Sequence, residues 1–134
     1  NEYRWDTSGL PDGWYVVEVE VSDELANPPA NVLRTQRASE PLLVDNHPPV
    51  IEGVGFRGGR VVGRAVDALG PIALLEVAID GGDWLPASPE DGILDTRDER
   101  FAIPVEGLAP GPHVIAVRAT DAAGNTVSAE TTTR

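Results

Sequence analysis

Four carboxylates fall within nine positions, at Asp91, Asp95, Asp98 and Glu99. Calcium takes about six to eight hard oxygen donors, so three of these side chains together with backbone carbonyls could gather one ion. Their spacing does not fit the EF-hand loop. The competing reading is a solvated acidic loop in which Asp91-Gly92 forms a turn and Arg97 and Arg100 neutralise their neighbours. Trp5, Trp14 and Trp84 offer aromatic faces on which a sugar could stack, but Trp84 follows a Gly-Gly turn, a place that suits half-buried packing. Nucleophilic catalysis wants Ser or Cys beside a His with an orienting acid. Cys is absent, and the two histidines lie at His47 in a proline-rich stretch and at His113 on an apolar strand face. Glycosidase chemistry needs two carboxylates across a cleft, and no Gly-rich phosphate loop is present either. The expectation is therefore a non-enzyme without a resident cofactor, calcium being the one candidate ion.

The elements that would position these residues read as short strands. Gly (14) and Pro (12) punctuate the chain of 134 residues so often that no helix of ordinary length fits between them. Trp14 to Asp23 alternates, with Tyr15, Val17, Val19 and Val21 on one face and Glu18 and Glu20 on the other. Pro112 to Asp121 does the same, with His113, Ile115, Val117 and Ala119 opposite Arg118. Further strand candidates are Val50 to Phe56, Arg60 to Asp67, Ala73 to Asp80, Trp84 to Ala87 and Arg100 to Val105. The fold class this implies is all-β, an antiparallel sandwich.

The two alternating runs also copy one another. At an offset of 98, Gly9, Leu10, Gly13, Val16, Val19, Asp23 and Asn27 fall on Gly107, Leu108, Gly111, Val114, Val117, Asp121 and Asn125. Matching glycines, inward valines and turn residues are what a shared backbone demands, so tandem copies of one domain are expected. Only the second copy has strand candidates enough ahead of it. Residues 47–134 thus read as a complete sandwich and residues 1–46 as the closing strands of a preceding one, joined by the stiff stretch around Pro48-Pro49. The first copy would leave its valines without an opposite sheet, which predicts cover by other domains of the same protein or by a strand-mediated homodimer through residues 1–46.

Charge narrows the partners. Twenty-two acidic residues against ten basic ones, all Arg, give a net charge of -12. That disfavours nucleic acid and anionic membrane surfaces, and no apolar run is long enough to enter a membrane. The chain opens on Asn1 rather than Met, so sequence upstream is expected. The absence of Lys, Cys and Met beside abundant Ala, Gly, Pro, Arg and Val points to a GC-rich genome.

Gly107 to Asp121, GLAPGPHVIAVRATD, resembles the second half of fibronectin type III and bacterial Ig-like domains, where a Leu-x-Pro-Gly corner leads into a strand that often begins with Tyr. Tyr15 holds that corner position in the first copy and His113 departs from it in the second. The strings IDGGDW, SPEDGILDTRDERF and ATDAAGN are similar to Ig-like repeats of large secreted or surface proteins of bacteria. The resemblance implies an extracellular, periplasmic or cell-surface location and a spacer, docking or adhesion role. Sensor ectodomains and accessory modules of secreted hydrolases carry such repeats as well. A thinner resemblance, to cadherin-type repeats, rests on VDNHPP, LDTRDE and ATD. It implies calcium ligands at Asp45 and Asn46 in the linker and at Asp95, Asp98 and Glu99, with Asp121, Asp23 or Asp67 at strand ends as further donors. The departures are Ala119 where an Asp should stand and His47 in place of a second Asp-Asn pair.

Overall fold

A computed structural model describes residues 2–133. The chain divides into two compact units, Asn1–Val44 and Asp45–Arg134. All strand pairings are antiparallel, and the one helical element among the described residues is a 3-10 turn at Pro29–Asn31.

The second unit is a β-sandwich of seven strands. One sheet has the order β5 (Val50–Arg57), β6 (Arg60–Val66), β9 (Asp98–Pro104). The other has the order β11 (Thr126–Thr132), β10 (Val114–Asp121), β7 (Ile72–Ile79), β8 (Leu85–Ala87). The chain changes sheet after β6, β8 and β9. Strand periodicity does the building. Ile115, Val117 and Ala119 on β10 and Leu75 and Val77 on β7 point into the core, where they meet Val61 and Ala65 of β6 and Phe101 and Ile103 of β9. Their polar neighbours face out, and Arg118 on β10 pairs with Glu76 across on β7 at 2.7 Å. Gly63 sits between Val61 and Ala65 on the inner side of β6, opposite Phe101. A methyl group added there would run into the Phe101 ring, so this glycine makes the room that the largest core side chain fills.

The first unit is one long hairpin broken in the middle. β1 (Gly13–Tyr15) pairs with β4 (Leu42–Val44), and β2 (Glu18–Ser22) pairs with β3 (Arg34–Ala38). Two hydrogen bonds span the break: the Val17 amide donates to Ser39 Oγ and the Ser39 amide to the Val17 carbonyl. The run Trp14 to Asp23 is therefore two strands and not one.

Candidate functional site

Corner and turn hydrogen bonds that recur at an offset of 98 set where the acidic residues beside them go. Tyr15 donates its hydroxyl to the Pro11 carbonyl at 2.7 Å, and His113 Nε2 contacts the Ala109 carbonyl at 2.8 Å. Both bonds reach four residues back, at positions related by the offset of 98. The turns repeat too. Asn27 Nδ2 donates to Asp23 Oδ2 at 2.6 Å, and Asn125 Nδ2 to Asp121 Oδ2 at 2.9 Å. His113 keeps the corner and adds a partner, since its Nδ1 lies 2.6 Å from Asp80 Oδ2. The hydrogen bond to Asp80, then that to the Ala109 carbonyl, raise the imidazole above its ordinary 6.5. The bonds from His113 and from the Val114 amide hold Asp80 below the ordinary carboxylate value.

At the opposite end of β10 three carboxylates meet. Asp45, Asp67 and Asp121 each place an oxygen within 4.8 Å of the others, and all three are buried, at 8%, 6% and 2% exposure. Each comes from a chain reversal or strand end. Asp45 precedes β5; Asp67 follows β6 and accepts the Leu69 and Gly70 amides on Oδ1; Asp121 ends β10 and accepts the Asn125 amide. Asn125 closes the cluster, its Nδ2 donating to the Asp45 carbonyl at 2.9 Å as well as to Asp121. Two carboxylates about 5 Å apart repel by roughly 3 kcal/mol at an effective dielectric of about 20. A divalent cation among them would turn that repulsion into attraction. The donors are all oxygen, which suits calcium or magnesium and not a metal that prefers nitrogen or sulfur.

The expected ligands separate into two groups. Asp45 belongs to this cluster, while Asn46 beside it is exposed. Asp95, Asp98 and Glu99 have other occupations. Glu99 is buried, with Oε1 accepting the Asp95 amide at 3.1 Å and the Thr96 amide and hydroxyl at 2.8 and 2.9 Å, so it braces its own loop. Asp98 accepts two bonds from Arg64, one of them from Nε at 2.6 Å, and that guanidinium lowers its carboxyl below the ordinary range. Asp95 is exposed, and Asp91 caps a turn by accepting the Ile93 amide. Arg97 donates to the Ala68 carbonyl, so Asp98 takes its hydrogen bonds from Arg64 on β6, with the Arg100 charge a smaller contribution in the same direction. Among the described residues these carboxylates do not form a three-donor group. Asp23 caps its own turn by accepting the Leu33 amide and Asn27.

Trp84 is half-buried under the Arg118 guanidinium, 4.3 Å above its ring, so one face that a sugar would use is covered. Trp5 and Trp14 are exposed in the first unit. Sequence reasoning missed Asn125 as the clamp between two chain segments, although its recurrence at Asn27 was the available signal. Among the described residues no helix is long and apolar enough to cross a membrane. Compared with models of protein families and with curated proteins, the chain matches none.

Proposed function

We propose that the chain is a non-catalytic structural and interaction module, of the Ig-like or fibronectin type III-like kind, within a larger secreted, periplasmic or surface protein of bacteria. It spaces, docks or presents the domains beside it. The observation that carries this reading is the duplicated corner: the four-residue hydrogen bonds of Tyr15 and His113 and the Asp-Asn turns behind them recur 98 residues apart. Recurrence at turn and corner atoms is what two copies of one backbone scaffold would leave. Support also comes from the order β5-β6-β9 facing β11-β10-β7-β8, with three changes of sheet, which suits such sandwiches. The test is exchange within the parent protein. Replacing residues 47–134 by an unrelated seven-stranded sandwich should preserve the parent's function, whereas deletion should impair it. Loss on exchange as complete as loss on deletion would place the role in chemistry of this unit's own surface.

A second reading, a module stiffened by calcium, is favoured by the meeting of Asp45, Asp67 and Asp121. Asp45 roots the segment leading into β5, and Asp67 and Asp121 root two others, so an ion there would tie three segments together. A site with a dissociation constant ten times below the added calcium stabilises by about 1.4 kcal/mol. A melt in millimolar calcium should then shift by several degrees against a chelator, and Asp67→Asn should abolish the shift. Equal midpoints in both buffers would remove this reading and leave the first intact.

A further inference from the structure

The open face of the first unit has a counterpart whose covering is visible. At the repeat offset, Val17, Val19 and Val21 correspond to Ile115, Val117 and Ala119. The three residues of β10 are fully buried, at 0% exposure, but Val19 and Val21 are 56% and 60% exposed. With Thr35, Arg37 and Ser39 the three valines line a groove of about 520 Å³. β10 is covered on both edges, by β11 and by β7, the latter through Ile115↔Ile79, Val117↔Val77 and Ala119↔Leu75. β2 has β3 where β10 has β11, and among the described residues nothing where β10 has β7. A lone pair of strands is marginal in water, and an uncovered strand edge templates another.

Charge says what kind of strand fits. On the outer face Arg118 pairs with Glu76 of β7. The positions matching Ala116 and Arg118 are Glu18 and Glu20, both exposed. Among the described residues Glu20 has a 3.4 Å approach from Arg34, which bonds Glu24 more closely at 2.6 Å. A second copy added antiparallel along β2 would set these glutamates against each other, and like charges facing across a sheet destabilise it. We infer that β2 is completed by an antiparallel strand of alternating apolar and basic residues, supplied by the polypeptide ahead of residue 1 in the same protein. By the offset of 98 the counterpart of β7 falls in that segment. This strand takes the apolar places of Leu75, Val77 and Ile79 and inverts the charge of Glu76. The inference rests on the tandem-repeat reading above and adds to it a partner, a register and a sign of charge.

Backbone amide exchange tests it on two proteins, the 134-residue chain and the natural polypeptide extended upstream by one full repeat. In the longer protein the β2 amides that do not bond to β3 should exchange at least about tenfold more slowly, with β10 unchanged. Val19→Glu should remove that slowing in the longer protein, and an upstream segment read from the gene should show the apolar-basic alternation. Equal β2 rates in the two proteins, or slowing of the short chain that grows with its own concentration, would overturn the inference, the latter in favour of a second copy. Loss of protection at the Asp23 and Leu33 amides as well would break the repeat reading itself; their retention confines the failure to the missing strand.

Discussion

The strands β2 and β10 hold matching places, 98 residues apart, in two different surroundings. Both follow a corner closed four residues back, both end on an Asp-Asn turn, and both alternate apolar and polar side chains. In the second unit the apolar side of β10 lies under β6 and β9, and β7 pairs along its edge. In the first, β2 has only β3. Local sequence thus sets the turn, the corner and the alternation. Burial contributes more to stability, at about 25 cal/mol per Å² of apolar surface, and it depends on strands from elsewhere in the chain.

Substitutions at paired positions put magnitudes on that difference. Ile115→Ala empties a fully buried site and should cost about 2–5 kcal/mol in chemical denaturation. Its counterpart Val17→Ala and the neighbouring Val19→Ala should each change stability by about 0.5 kcal/mol or less in the same assay. A loss at Val19 comparable to that at Ile115 would mean that β2 is covered in the isolated chain. Next in size is Gly63→Ala, whose methyl group meets the Phe101 ring; overpacking of this kind should cost about 1–3 kcal/mol. Gly53, with open space around it but a φ of 61°, should respond through backbone strain and not through packing.

The Asp-Asn turns give a smaller contrast. Asn125 serves both Asp121 and the Asp45 carbonyl, whereas Asn27 serves Asp23. Asn125→Ala should cost about 1–3 kcal/mol because two buried acceptors lose a donor, and Asn27→Ala about 0.5–1.5 kcal/mol. Equal costs would mean that the clamp onto Asp45 adds nothing. The corners supply the last comparison, in pH. Folding raises the His113 value, so its stabilisation is complete below the ordinary imidazole value of 6.5 and is lost as pH rises through the folded value. Folding lowers Asp80, so its share is present above the ordinary carboxylate value of 3.8 and fades as pH falls through the folded value. The second unit should therefore be most stable between these limits. His113→Tyr, which installs the residue that stands 98 positions earlier, should keep the bond to Ala109 and flatten the alkaline side of the profile.

Strands with alternating or continuous apolar residues are legible in the sequence, including β7, where Gly70-Pro71 and Asp80-Gly81 bracket a run that composition alone would allow as helix. β3 is not, because Arg34–Ala38 reads RTQRA, with no apolar residue before Ala38 and so no alternation to mark a strand. Nor is the break within Trp14 to Asp23, which depends on Ser39, a residue more than twenty positions from where that run begins. The acidic residues divide the same way. Asp91-Gly92 as a turn follows from local chemistry, and the structure has it. Asp45 in the linker, with Asp67, Asp121 or Asp23 at strand ends to join it, is a sequence candidate, but which of them meet is a product of sheet packing that no spacing encodes. The pairing of Asp98 with Arg64 likewise depends on the β6–β9 register, and it removes from calcium a carboxylate that spacing offers.

One sequence motif, then, stands finished in the second unit and open in the first. Residue-resolved amide exchange on the 134-residue chain compares the two within one sample. The Ala116 and Arg118 amides, which face β7, should exchange only through global opening of the second unit, and those of Glu18 and Glu20, which face away from β3, at least about a hundredfold faster. Equal protection of the two pairs in dilute, monomeric solution would contradict this, because it would show β2 already completed by the chain itself.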